Sequence, residues 1–184
     1  MVKDPPNVGR SLGLPDDAFE QRRPNEGQIT KREVRAVSLY SLGLRRDSVV
    51  WDIGAGTGSI SVEAALIAHN GQVYAVERDN DSLPLLEANV AQLGSENIHI
   101  VFGEAPGALE PLPSPDSVFV GGSGGNLSVI LEYSVSRLNP DGSIVVNLAV
   151  LERTHEAYAL LKKLGVNAEL TQVASARGKE MPDG

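Results

Sequence analysis

The 184-residue sequence contains no cysteine, which excludes a disulfide framework, a thiolate nucleophile and any metal or iron–sulfur site held by cysteine. Its three histidines, His69, His99 and His155, stand apart from one another, so no clustered zinc site is expected and no metal is assigned. No apolar run approaches the ~20 residues that would cross a bilayer. The opening Met-Val-Lys-Asp-Pro-Pro has no hydrophobic signal core, and no membrane partner is expected. Basic residues are also short: 16 Lys and Arg face 24 Asp and Glu, a net charge of -8. General nucleic-acid affinity needs a basic surface to displace counterions, so no nucleic-acid partner is expected. A cytoplasmic enzyme or binding domain remains.

What is present fits an ordinary globular domain, with 41% hydrophobic and 22% charged residues. The length implies one domain with at most a short appendage. Charge is unevenly spread. Between Arg22 and Arg46 there are seven basic residues (Arg22, Arg23, Lys31, Arg32, Arg35, Arg45, Arg46) against Glu26 and Glu33, a local +5 that leaves -13 for the rest of the net -8. This asymmetry suits an anionic ligand near the N-terminal segment; a solvated helix face accounts for it equally simply.

Residues 1–28 are rich in Pro, Gly, Asp and Asn and read as an irregular arm, followed by one domain over 29–184. Thr30-Lys31-Arg32-Glu33 has the spacing of a capping box and predicts a helix ending at Gly43. Short apolar runs at 49–53, 72–76, 98–102, 117–120, 144–149 and 169–174 read as strands. Helical composition lies between them at 60–68, 82–93, 127–138 and 154–164. Strands alternating with helices imply βαβ units, and right-handed crossovers make a doubly wound, mostly parallel, Rossmann-like α/β sheet the expected architecture. Ligands of such sheets sit beyond the carboxyl ends of the strands, where strand order reverses.

The first strand runs into Asp52-Ile53-Gly54-Ala55-Gly56-Thr57-Gly58-Ser59. Glycines in such a turn permit positive φ and let backbone N–H groups come close to a ligand. The dinucleotide fingerprint G-x-G-x-x-G would place its third glycine at position 59, which is serine. The spacing is instead D-x-G-x-G-x-G, which resembles motif I of the class I S-adenosylmethionine (SAM)-dependent methyltransferases. Glu77, at the end of the second strand, is placed to accept hydrogen bonds from vicinal ribose hydroxyls. Gly103-Glu104-Ala105 resembles the position at which that family addresses adenine. SAM, leaving as S-adenosylhomocysteine (SAH), is therefore the expected cofactor, with Asp52, Gly54, Ala55, Gly56, Thr57, Gly58, Glu77, Glu104 and Ala105 as its candidate contacts.

After the fourth strand, enzymes that methylate amide or adenine nitrogens carry an Asn/Asp-Pro-Pro-Tyr-type loop. Here the sequence is Gly121-Gly122-Ser123-Gly124-Gly125, a low-profile surface suited to a large flat substrate; a plain connecting loop is the alternative. Together with the stretches 13–19, 28–36, 51–63 and 145–147, this loop resembles the decarboxylating precorrin methyltransferases of cobalamin biosynthesis, a type that also forms the C-terminal half of fused precorrin-6Y C5,15-methyltransferases. The resemblance implies methylation at C15 of a precorrin-6B-type tetrapyrrole, with or without cobalt, and loss of carbon dioxide from the acetate on C12. It implies a SAM contact from Thr30, which would double as the helix cap. It also implies a homo-oligomer, expected as a tetramer, and a C5-methylating domain that is fused or separate.

Such a substrate carries many carboxylates, for which Arg32 and Arg35 are the expected partners. Gly121, Gly122, Ser123 and Asn147 are candidate substrate contacts, although Asn147 serves equally as a strand-end hydrogen bond. No residue is assigned as general base. The family continues after a segment like Ala176-Arg177-Gly178-Lys179 into a further strand, whereas this sequence ends Met181-Pro182-Asp183-Gly184. An exposed sheet edge is expected there. A SAM-dependent methyltransferase of tRNA or protein, a nicotinamide-dependent oxidoreductase and a non-catalytic SAM-binding module are the competing readings.

Overall fold

The computed structural model describes residues 12–22 and 29–178. Five strands alternate with five helices: α1 (Arg32–Ser41), β1 (Val49–Ile53), α2 (Ser59–Ile67), β2 (Gln72–Glu77), α3 (Leu83–Leu93), β3 (Ile98–Phe102), β4 (Ser117–Val120), α4 (Leu127–Arg137), β5 (Ser143–Val146) and α5 (Leu151–Lys163). The strands form one sheet in the order β3-β2-β1-β4-β5. Every pairing is parallel. This is the doubly wound α/β architecture expected, with the reversal of strand order at β1.

The sheet is covered on both faces, as a parallel sheet must be. Period-two alternation sorts β1 between two cores. Val50 joins Leu39, Leu42, Ile60 and Phe119 on one side, and Trp51 and Ile53 join Val118, Val120, Leu127 and Leu131 on the other. Helix α2 is buried over nearly its whole circumference. Its two internal polar side chains, Ser61 and Glu63, must therefore find partners inside the protein, and each does.

Four details differ from the sequence reading. Thr30 does not cap α1. Asp16, in a 3₁₀ turn at Asp16–Ala18, reaches across to accept the Arg32 N–H at 2.9 Å. The Glu33 carboxylate is drawn outward to Arg177, so the box cannot close. Strand β5 stops at Val146, and α5 begins at Leu151 rather than 154. Residues 169–174 form no strand and pair with none of the described strands, and the outer edge of β5 has no partner among the described residues. In the arm, the described residues 12–22 fold against the domain, with Leu14 and Phe19 in the first core. Arg23, Gln28 and the closing Met181–Gly184 lie outside the described residues.

Candidate functional site

The register places Ile53 beside both Val76 and Val120, so the carboxyl ends of β1, β2 and β4 finish level. Gly54 and Ala55 donate their N–H groups to the Val76 carbonyl at 2.9 and 3.1 Å, and Gly58 donates to the Ala55 carbonyl at 2.8 Å. Gly56 donates to Glu77 Oε2 at 2.7 Å. Four N–H groups of the loop are thus held within the protein. The loop offers a ligand its bare outline more than a nest of free amides, which corrects the expectation from the glycine pattern. Gly54 also has a different necessity. At φ +73°, a Cβ there would lie 2.5 Å from the Gly122 carbonyl oxygen, so the turn after β1 and the loop after β4 can touch only backbone to backbone.

A crevice opens above these strand ends, with a volume of about 1620 Å³, and runs past β5 to residues 166–173. Of the expected cofactor contacts, Thr30, Asp52, Gly54, Ala55, Gly56, Glu77, Glu104 and Ala105 line it. Thr57 and Gly58 do not. The loop turns Thr57 inward, where it is 1% exposed with its carbonyl accepting from Asn89 Nδ2 at 2.9 Å. Gly58 backs onto Leu86.

Two carboxylates form the floor. Glu77, buried, accepts from the N–H groups of Gly56, Arg78 and Asp79 at 2.7–2.8 Å. It ties the glycine loop to the end of β2. Asp52 is 1% exposed; its Oδ2 accepts from the Ser61 hydroxyl at 2.5 Å, and its Oδ1 has no partner. Burial pushes the Asp52 carboxyl up to about 7; the Ser61 hydrogen bond pulls the other way, and the charge of Glu77 adds to the rise. At the rim, Glu104 Oε1 accepts from Arg78 Nη1 at 2.7 Å and Asn126 Nδ2 at 2.9 Å. Arg78 Nη2 donates to the Gly124 carbonyl at 3.3 Å. This clasp joins the ends of β2 and β3 to the glycine-rich loop.

Of the expected substrate contacts, Gly121, Gly122, Ser123 and Asn147 line the crevice. Asn147 Nδ2 also donates to Ser38 Oγ at 3.1 Å, fastening α1 to the end of β5. Arg35 does not face the crevice. It is 1% exposed, bonded through Nε to Glu63 Oε1 at 2.8 Å, through Nη1 to the Thr30 carbonyl at 2.7 Å, and through Nη2 to the Leu14 carbonyl. A guanidinium so enclosed cannot meet an incoming carboxylate, and Arg35 is a structural cation. Arg32 also lies off the crevice and pairs with Glu33 at 3.2 Å. Sequence reasoning passed over Lys31 and Arg78 as substrate contacts, although both line the crevice. The signal available was adjacency, since Lys31 follows Thr30 and Arg78 follows Glu77.

Among the described residues, no three His, Cys, Asp or Glu side chains are grouped so as to hold a metal ion, and no helix is long and apolar enough to cross a membrane. The family model of the precorrin methyltransferase domain matches residues 17–183. A protein of Pyrobaculum calidifontis, named probable cobalt-precorrin-6B C(15)-methyltransferase (decarboxylating), is 43% identical over 169 residues, covering 91% of this chain and 85% of that protein. The crystal structure of precorrin 8w decarboxylase from Methanobacterium thermoautotrophicum superposes with a TM-score of 0.86 at 34% identity, covering 93% of this chain and 91% of that one. A SAM-dependent O-methyltransferase of Thermotoga maritima shares the fold alone, with a TM-score of 0.62 at 18% identity over 74% of this chain and 51% of that one.

Proposed function

Because the chain belongs to the precorrin methyltransferase family, we propose that it methylates C15 of a precorrin-6B-type tetrapyrrole from SAM and removes carbon dioxide from the acetate on C12, as a step of cobalamin biosynthesis. The observation that carries this reading in the site is the pairing of two unlike surfaces. A buried acidic floor, Asp52 and Glu77, lies next to a side-chain-free shelf, Gly121–Gly122. The floor suits a cationic sulfonium nucleoside. The shelf suits a flat macrocycle.

The donor set fits the cofactor. Asp52 Oδ1 is a buried acceptor without a donor, the kind of atom whose burial is costly until a ligand supplies one. An ammonium group would supply it. Glu77 would hold the ribose, Ala105 and Glu104 would border the base, and Gly54–Gly56 would leave room for the amino-acid tail beside Thr30. When bound, the cofactor supplies an electrophilic methyl group and a neutral thioether leaving group.

The chain's own residues orient and enclose. Gly121 and Gly122, without side chains, let the macrocycle plane lie against backbone, and the Arg78–Glu104–Asn126 hydrogen bonds border that shelf. Holding a meso carbon in line with the methyl group would convert an encounter into an effectively unimolecular step, a contribution that needs no base. The reduced ring would supply the electron pair of the new C15–methyl bond, with the methyl–sulfur bond breaking to release the neutral thioether. In the second half-reaction the acetate would lose carbon dioxide, its electron pair would enter the ring, and a proton from solvent would complete the methyl group left on C12 while the methylated ring gives one proton up to solvent. No residue of the crevice is needed as general base.

Incubation of the protein with SAM and a precorrin-6B-type substrate is expected to give a product that has gained one methyl and lost one carboxyl. Unchanged substrate under conditions where SAH binds refutes the proposal. Methyl transfer from labelled SAM to bulk tRNA would instead favour the alternative substrate class. Calorimetric titration with SAH, repeated on Glu77→Gln, tests the ribose role, and an unaltered affinity refutes it. A cytoplasmic homo-oligomer, with the C5-methylating activity fused or separate, belongs to the same reading, and sedimentation of the purified protein tests the assembly.

A further inference from the structure

A substrate bearing many carboxylates needs cations at the site, and the sequence offers a basic segment from Arg22 to Arg46. The structure disperses most of that segment. Arg22 pairs with Asp79 at 2.6 Å, Arg45 with Asp116 at 3.2 Å, Arg32 with Glu33, and Arg35 is enclosed with Glu63. Arg46 is exposed but does not line the crevice. Among the described residues, the crevice wall carries two cations, Lys31 at the start of α1 and Arg78 at the exit of β2.

These two differ from the rest in availability. Lys31 is exposed and makes no ion pair among the described residues. Arg78 is shared with Glu104, but both side chains are about half exposed, at 46% and 54%. Such a pair contributes little to stability and can be exchanged for a ligand carboxylate at small cost. Arg78 also reaches the Gly124 carbonyl, so its guanidinium already stands against the glycine shelf. The cations of the crevice are therefore confined to its rim. Asp52 and Glu77 lie buried at the floor, where a cationic cofactor would sit. Lys31 and Arg78 stand exposed at the rim among the accessible acids Asp79, Glu104 and Glu169, as the two cations there that an entering anionic macrocycle can meet.

We infer that Lys31 and Arg78 are the side chains that recognise the peripheral carboxylates of the substrate, with Arg78 releasing Glu104 to do so. This rests on the tetrapyrrole reading above. It replaces Arg32 and Arg35 in the role for which the sequence nominated them, and it makes substrate affinity depend on salt while cofactor affinity does not.

The test uses the full chain loaded with SAH and an octacarboxylate porphyrin as the probe, titrated by fluorescence. Lys31→Gln and Arg78→Gln are each expected to weaken porphyrin binding about tenfold, the effect of removing one charge-assisted contact at a part-exposed site. Arg78→Lys should recover part of the loss. SAH affinity, read by calorimetry, should stay within about twofold in Lys31→Gln, and added salt should weaken porphyrin but not SAH binding. Unchanged porphyrin affinity in both variants overturns the inference. So does a parallel loss of SAH affinity in Arg78→Gln, which would place Arg78 in the cofactor site. A wild-type protein that does not bind the porphyrin also overturns it. With a precorrin-6B-type substrate, the variants should raise KM and keep kcat. A wild type that turns over while the variants leave KM unchanged removes the inference and leaves the function standing. Charge-dependent porphyrin binding without any turnover removes the function and leaves the recognition.

Discussion

Asp52 and Glu63 lie within the same βα unit, one on β1 and one on α2, and both are buried carboxylates, yet they are opposites. Glu63 accepts from the Gly13 and Leu14 N–H groups at 3.1 and 3.0 Å and from Arg35 Nε at 2.8 Å. Its charge is matched, and it staples the N-terminal segment to the domain. Asp52 has one hydroxyl donor and an oxygen with none, and burial holds its carboxyl near 7. A carboxylate with all its partners inside the protein builds structure. One left half-partnered beside a crevice is stabilised only when something else arrives, which is what a binding site requires.

The contrast can be broken at its stronger end first. Glu63→Ala would leave the buried Arg35 guanidinium with only its 3.4 Å contact to Asp16 for charge compensation and take the acceptor from the Leu14 N–H, and should cost about 3–5 kcal/mol of folding stability. Urea unfolding measures it. A loss below roughly 1 kcal/mol would mean that the staple is ornamental.

Asp52→Asn should behave in the reverse sense, leaving stability unchanged or raised at neutral pH while weakening SAH binding. The pH dependence follows from its raised carboxyl. A group held above its unfolded value of 3.8 favours folding while protonated, so its contribution is present at low pH and disappears as pH climbs to about 7. Relative to Asp52→Asn, the wild type should therefore lose up to about 4 kcal/mol between pH 4 and pH 7. Parallel stability curves for the two proteins would refute a raised Asp52. If SAH places its ammonium on this carboxylate, affinity should also rise with pH until Asp52 is ionised and then level off.

Gly54→Ala tests the contact between the two loops. The added methyl group meets Gly122 backbone at a positive φ, and a loss of about 1–3 kcal/mol is expected, with SAH binding impaired beyond that. Normal binding with normal stability would show that the loops can part. The smallest effect is expected from Arg177→Ala. Arg177 holds Glu33 and Asp16 from the end of the exposed 165–178 segment. Its hydrogen bond is the chief reason that the Glu33 carboxyl sits low, at about 2. The variant should leave the melting temperature nearly unchanged while speeding amide exchange in 166–178; unchanged exchange would show that the clasp does not order the segment.

Much of this was legible from residue order. The runs at 49–53, 98–102 and 117–120 appear in the structure at those limits, because short apolar runs between glycine-rich turns have few ways to be buried in a parallel sheet. The glycine loop and Glu77 were legible because the chemistry needs particular residue types at the ends of adjacent strands. Thr30 was misread as a cap, because a local spacing rule cannot anticipate a carboxylate arriving from Asp16, far earlier in the chain. Thr57 was misread as a contact because the turn decides which side chain of a motif points inward. Arg35 was misread for the same kind of reason: charge and neighbourhood in sequence are silent about which basic residue is swallowed by the core.

The sequence by itself determined the alternation of elements and the acids and glycines that stand at the ends of the first strands. Those depend on periodicity and on residue type, which are local properties. Only the tertiary structure decided which of two buried carboxylates keeps an open oxygen and which cations remain at the rim, because partner count and solvent access are set by segments that meet across the fold.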